Sequence, residues 1–151
     1  MMLRQLLVGA AASGCNIAIH ALVMVAVIRV TRRADELATA YQTLRLIAVM
    51  IAAVTVLMIA HLAEIMVWAL TYAILGVTPE GSDLVYFALV NYTTLGYGDV
   101  TPVKRWNLLG PMTAMNGVLL FGWSTAVIFE VLRMTLLAGD NADQPKREWP
   151  K

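Results

Sequence analysis

The residues with the most distinctive chemistry form one short run, Thr93-Thr94-Leu95-Gly96-Tyr97-Gly98-Asp99. Gly96 and Gly98 stand at alternate positions, and glycine readily adopts the positive φ values that other residues resist. Consecutive carbonyl oxygens of such a segment can therefore point the same way. Together with the Thr94 hydroxyl at one end, these oxygens can replace the water around a hard monovalent cation without placing a formal charge in its path.

Three ionisable residues stand inside apolar stretches, where such side chains are costly and indicate function. His61 and Glu64 lie three residues apart and therefore share one face of a helix. They indicate either a pH-sensitive pair or a polar patch at the membrane interface, and the patch is the simpler interpretation. We expect His20 to make a polar contact between helices, because no second ligand lies at helical spacing from it to complete a metal site.

The composition of the 151 residues indicates a membrane protein, with 60% hydrophobic residues, 14% charged residues and a mean hydropathy of +0.71. A helix that crosses a membrane needs roughly 20 mostly apolar residues. Gln5 to Ile28 and Trp106 to Phe129 are uncharged runs of this length, and a third run extends from Leu46 past Glu64 to Gly76. The sequence therefore predicts an all-α membrane protein with three transmembrane helices.

The placement of Lys and Arg predicts the orientation, because these residues concentrate in cytoplasmic segments. Eight of them follow the first or the third span, namely Arg29, Arg32, Arg33, Arg45, Arg133, Lys146, Arg147 and Lys151. The other three are Arg4, Lys104 and Arg105. This distribution places the N-terminus outside and the C-terminus inside. A net charge of +1 without a large basic cluster gives no reason to expect a nucleic-acid partner.

The segment between the second and third spans, Val77 to Arg105, predicts a re-entrant element. Its residues 78–81 form a turn, and Ser82 or Asp83 can cap a short helix that runs to about Tyr92. A helix of this length cannot cross a bilayer. Irregular backbone at membrane depth is tolerated only where it is buried in protein or lines a watery cavity, so we expect the residues that follow to line a cavity.

In this context, Thr94-Leu95-Gly96-Tyr97-Gly98 resembles the selectivity filter of the pore-loop potassium channel family. The resemblance extends from about Arg45 to Leu137, in the order outer helix, pore helix, filter and inner helix. It departs from the family at Leu95, where valine or isoleucine is usual. The resemblance implies a non-enzymatic, potassium-selective channel in which K⁺ ions occupy a filter built by four identical subunits with cyclic symmetry.

The resemblance also implies roles for residues outside the filter. Asp99 would brace the outer mouth of the filter, and Tyr97 would point outward into an aromatic cuff for which the short helix supplies Tyr86 and Phe87; Thr93 is expected to support the same segment. On the inner helix, a hinge, close packing or a cavity contact is expected at Asn116, Gly117, Phe121 and Gly122. Glu130 near the inner mouth predicts either a ring that concentrates cations or a surface pair with Arg133.

The expected organisation is an extra transmembrane helix at 1–30, a cytoplasmic linker at 31–44, a pore domain at 45–137 and a short tail at 138–151. Within the pore domain we expect the outer helix at 45–76, the pore helix at 83–92, the filter at 94–98 and the inner helix at 107–137. No span carries repeated arginines, so we expect no voltage sensor, and the tail is too short for a ligand-binding domain. The gating partner is not predicted. The expected location is the plasma membrane, a bacterial inner membrane.

Two other classes stay open at this point. A membrane-embedded enzyme would use a metal at His61, Glu64 or His20, but this class explains none of the filter-like run. An accessory membrane subunit would keep a pore-like sequence without conducting ions. A measurement of potassium flux through the purified protein distinguishes these classes.

Overall fold

Three long helices and one short helix make up the computed structural model, which describes residues 2–35 and 42–142. The long helices are α1 (Met2–Asp35), α2 (Gln42–Leu75) and α4 (Leu109–Ala142), each of 34 residues. The short helix is α3 (Leu84–Tyr92), and a 3-10 turn at Lys104–Trp106 precedes α4. At 1.5 Å per residue each long helix is about 50 Å long, which exceeds the roughly 30 Å of a hydrocarbon core.

The structure contains three helices that are long and apolar enough to cross a membrane, as the sequence predicted. The candidate spans are Met2–Arg33, Thr43–Leu75 and Lys104–Leu137. The helices are longer than the sequence suggested at several ends. α1 continues to Asp35, α2 begins at Gln42, and α4 reaches Ala142, inside the expected tail. Residues 36–41 and 143–151 lie outside the described part of the chain.

A buried cluster holds α3 against the long helices. It joins Trp68 and Tyr72 of α2 to Phe87 and Tyr92 of α3, and it includes Ala12 of α1. Large aromatic side chains bury much apolar surface, so this cluster contributes strongly to the position of α3. A second cluster of apolar side chains from α1, α2 and α4 packs together elsewhere along the helices: Met24, Val27, Ala53, Leu57, Val127 and Val131.

The short helix begins at a well-formed cap. The Asp83 carboxylate accepts hydrogen bonds from the backbone N–H groups of Val85 and Tyr86, each at 3.0 Å. Of the two predicted caps, the structure therefore uses Asp83, whose negative charge also complements the helix dipole. The N–H of Val103 donates to the Val77 carbonyl at 2.8 Å, which ties the two ends of the intervening segment together.

Candidate functional site

The backbone after α3 has an unusual conformation. Gly96 and Gly98 have φ values of 57° and 79°, as their residue type predicts. Thr94 also has a positive φ, 61°, which the sequence did not predict. A β-branched residue rarely adopts this conformation, which costs on the order of 1–3 kcal/mol and is found mostly at functional sites.

Three consecutive peptide groups of this segment direct their N–H groups back to the end of α3. The N–H of Thr94 donates to the Asn91 carbonyl at 2.9 Å, and the N–H groups of Leu95 and Gly96 donate to the Val90 carbonyl at 2.9 and 3.4 Å. The described residues contain no cis peptide bond. In a trans peptide the C=O points opposite to the N–H.

The carbonyl oxygens of Thr93, Thr94 and Leu95 therefore point away from α3. Residues 93–99 are all exposed in the single chain. The segment thus presents a set of neutral oxygen atoms at a surface that this chain does not itself cover.

The short helix braces the segment from both ends. The Tyr86 hydroxyl donates to the Asp99 carboxylate at 2.7 Å. This hydrogen bond lowers the pKa of the Asp99 carboxyl and raises the pKa of the Tyr86 hydroxyl. At the other end, the Thr93 hydroxyl donates to the Leu89 carbonyl at 2.8 Å. From the sequence we expected Tyr86, Asp99 and Thr93 to support the filter-like segment. The sequence did not predict that Tyr86 and Asp99 form a hydrogen bond with each other.

The expected aromatic cuff does not form within one chain. Phe87 is buried and packs on Tyr72, with ring centroids 5.1 Å apart. The side chains of Tyr97 and Leu95 are 68% and 54% exposed. Within a single chain, therefore, Phe87 belongs to the core below the segment, while Tyr97 extends away from it.

The two glycines of α4 have different surroundings. A Cβ atom at Gly117 would lie 2.0 Å from the Tyr92 carbonyl oxygen, so only glycine permits this approach of α4 to the end of α3. Gly122 has open space around it. The helix continues without interruption through both positions. In this structure the role of Gly117 is close packing.

Asn116 does not have the expected orientation toward a cavity. Its side chain is buried, and its amide oxygen accepts hydrogen bonds from Trp68 Nε1 at 3.1 Å and from Asn16 Nδ2 at 3.0 Å. Two buried donors from α1 and α2 require an acceptor in an apolar interior, and Asn116 provides it.

Two other inner-helix residues also have partners within the chain. Glu130 accepts two hydrogen bonds from Arg133, at 2.8 and 2.7 Å, which is the predicted surface pair. The Phe121 ring is 38% exposed and lies against His61 and Tyr92, with centroids 4.6 and 5.4 Å away.

His61 and Glu64 lie inside the helix bundle and not in an exposed interfacial patch. Glu64 is fully buried, and its Oε2 lies 3.1 Å from His61 Nδ1 and also accepts a hydrogen bond from the Tyr92 hydroxyl. The pair therefore contacts the short helix, as the pH-sensitive interpretation required. The pH sensitivity of the pair remains a prediction.

His20 of α1 joins the same group. Its Nδ1 lies 2.7 Å from Glu64 Oε1, and its ring is fully buried. We call His20, His61 and Glu64 the His–Glu cluster. Their potential ligand atoms all lie within 4.8 Å of one another. Helical spacing within one segment could not reveal the partners of His20, because they come from a different helix.

Comparison with known proteins identifies a related family. Residues 60–134 match a family model described as "Ion channel". The matched region runs from within α2 through α3 and the exposed segment into α4. Together with three helices that are long and apolar enough to cross a membrane, the match supports a multi-pass membrane protein of an ion channel family. Comparisons with curated proteins and with solved structures gave no match.

Proposed function

We propose that the chain is one subunit of a potassium-selective channel, in which residues 94–98 of four identical chains surround a common axis. The observation that carries this proposal is the set of carbonyl oxygens of Thr93, Thr94 and Leu95, which all point away from α3 toward an uncovered surface. Rings of such oxygens can replace the hydration shell of K⁺ and bind the ions in series.

The charges near the segment fit a monovalent cation. The C-terminal end of α3 carries the partial negative charge of a helix dipole, and it lies next to the start of the segment. The side chains of residues 93–98 are uncharged, so no acidic residue stands among the proposed ligands. This arrangement favours a weakly held K⁺ over a divalent ion, which would call for charged ligands.

The exposed surface of the segment supports assembly. One chain provides a single wall of the proposed ion pathway, and a closed ring of identical walls requires several chains related by cyclic symmetry. Tyr97 and Leu95 present large apolar side chains with no cover from their own chain. Neighbouring subunits would cover these side chains, and the aromatic cuff would then form between chains.

The proposed orientation places the N-terminus outside and the C-terminus inside a bacterial inner membrane, because arginines and lysines concentrate in the segments after the first and third spans. The proposed channel conducts K⁺ passively, and its filter holds K⁺ ions without a further cofactor. The stimulus or partner that opens it is not assigned.

A flux assay tests this function. Purified protein in liposomes should pass K⁺ down a gradient, barium should block the flux, and the reversal potential in mixed K⁺ and Na⁺ should lie near that of K⁺. Gly96→Ala should abolish the flux while the protein still assembles, because alanine resists the positive φ of this position.

Gly14→Ala is the matched control, since this exposed position on α1 has open space for a Cβ atom. Equal Na⁺ and K⁺ permeability would overturn the selectivity. A correctly assembled wild-type protein without flux would instead support an accessory subunit.

A further inference from the structure

The His–Glu cluster contains both histidines of the chain and joins α1 to α2. His20 belongs to α1, His61 and Glu64 belong to α2, and the Tyr92 hydroxyl from α3 completes the group. The proposed ion pathway uses none of these side chains, and no part of the filter requires a carboxylate at this position.

The burial of Glu64 creates a charge requirement. Its carboxylate is fully buried in a part of the protein expected to lie in the membrane, where an uncompensated charge is very costly. Among the described residues, the two imidazoles are its only ion-pairing partners. Neutral imidazoles do not compensate the charge, so either a proton, on the carboxylate or on one ring, or a bound metal ion must do so.

The two imidazole rings have matching orientations. Both Nδ1 atoms face the Glu64 carboxylate, at 2.7 Å from His20 and 3.1 Å from His61. Both Nε2 atoms face the Ser124 hydroxyl, at 3.3 Å from His20 and 2.9 Å from His61. The cluster therefore has one side built of nitrogens and carboxylate oxygens, and an opposite side where both rings meet one hydroxyl.

The hydrogen positions are compatible with a metal ion on the Nδ1 side. If both Nδ1 lone pairs bind a cation, both Nε2 atoms carry a hydrogen. The Ser124 oxygen has two lone pairs and can accept from both rings. Metal-bound histidines almost always donate their other N–H to such an acceptor, which fixes the ring orientation. Without a metal, one additional proton, on the Glu64 carboxylate or on one of the rings, allows all four contacts to be hydrogen bonds.

The distances also suit a small metal ion. A tetrahedral Zn²⁺ with bonds of roughly 2.0–2.1 Å separates its ligand atoms by about 3.3 Å. The two Nδ1–carboxylate contacts, 2.7 and 3.1 Å, are shorter than this, and all of the ligand atoms lie within 4.8 Å of one another. The Tyr92 hydroxyl is 2.9 Å from His61 Nδ1 and is available as a fourth ligand. Metal binding would therefore require the two Nδ1–carboxylate contacts to lengthen toward the tetrahedral separation.

We propose that His20, His61 and Glu64, with the Tyr92 hydroxyl, bind a divalent transition-metal ion of the Zn²⁺ type. Imidazole nitrogen together with carboxylate oxygen suits Zn²⁺, whereas an all-oxygen set suits Mg²⁺ or Ca²⁺. The bound ion cross-links α1 and α2 to the end of α3. Tyr92 directly precedes Thr93, so the site anchors the extra N-terminal helix to the base of the exposed segment.

Metal binding to the purified full-length protein tests this site. Cobalt is the probe, because tetrahedral Co²⁺ absorbs visible light, and Zn²⁺ should compete with it. The experiment uses a Cys15→Ser background, since this exposed thiol is an alternative ligand. We expect stoichiometric binding that raises the unfolding temperature, because an ion that binds only the folded state stabilises it.

Four variants distinguish the proposed metal ligands from residues that do not bind the metal. His20→Gln and Glu64→Gln should lose the cobalt spectrum, and Ser124→Ala should weaken the affinity by about 10- to 100-fold because it removes the acceptor of both ring N–H groups. Glu80→Gln, an exposed carboxylate away from the cluster, is the matched control and should bind like the wild type.

Two results would overturn the site. One is wild-type protein that shows no tetrahedral cobalt spectrum and no Zn²⁺-dependent change in unfolding temperature. The other is an unchanged spectrum in His20→Gln protein of normal helicity and size. Either result would mean that hydrogen bonds alone hold the cluster together. The readout does not depend on ion flux, so the metal-site proposal and the channel proposal are tested independently.

Discussion

The Tyr86 hydroxyl donates a hydrogen bond to the Asp99 carboxylate across the exposed segment. The two residues are 13 positions apart in the chain, and their oxygen atoms are 2.7 Å apart in space. Tyr86 belongs to the rigid short helix, and Asp99 directly follows Gly98. The bond therefore fixes the far end of residues 94–98 to the helix that precedes them. A segment with three positive φ values needs such restraints to keep its carbonyl groups aligned.

This bond predicts a response to acid. It lowers the pKa of Asp99, so the ionised form is favoured in the folded protein, and its stabilising contribution is complete above the ordinary value of about 4. The contribution is lost as the pH falls through the lowered value. We expect K⁺ flux into liposomes to decline on external acidification below about pH 4.

Two variants check the assignment of this acid response. Asp99→Asn keeps an acceptor for Tyr86 but cannot titrate, so its flux should not decline in that range. Tyr86→Phe should show reduced flux already at neutral pH because the bond is absent throughout. A wild-type acid response that persists in Asp99→Asn would assign the titration to another group.

Gly117→Ala should destabilise the protein. The new Cβ atom would meet the Tyr92 carbonyl oxygen, a backbone atom that cannot rotate away, and α4 would have to move from α3. Overpacking of this kind costs about 1–3 kcal/mol. Denaturant unfolding in detergent measures the loss. Gly122→Ala on the same helix meets open space and should be at least as stable as the wild type, since alanine favours helix. Equal stability of the two variants would contradict the close contact at Gly117.

Asn116→Ala should also destabilise the protein, because it leaves Trp68 Nε1 without its acceptor in the interior. A buried polar group that loses its partner costs about 1–3 kcal/mol. A double-mutant cycle with Asn16→Ala measures the coupling directly and should give about 0.5–3 kcal/mol. Zero coupling would mean that Asn16 and Asn116 do not interact.

The features that were predictable from the sequence are those with local causes. The three spans follow from uncharged runs of sufficient length, and α3 follows from the Asp83 cap and the apolar residues after it. The glycine conformations follow from residue type. By contrast, the inward orientation of Asn116 and the meeting of His20 with Glu64 depend on how each helix is rotated about its own axis. Hydropathy leaves this rotation undetermined where a span is apolar on all sides.

Glu130 forms the surface pair with Arg133 that the sequence offered as one of two interpretations, and this pairing leads to a prediction about conduction. Arg133 holds the carboxylate at 2.7 and 2.8 Å, so each subunit contributes a nearly neutral pair near the expected inner mouth. Removing either partner unmasks the charge of the other. Arg133→Gln should therefore raise the single-channel K⁺ current at low salt, and Glu130→Gln should lower it. Both effects should fade at high salt, because screening weakens interactions between exposed charges. Unchanged currents in both variants would place the pair away from the ion pathway.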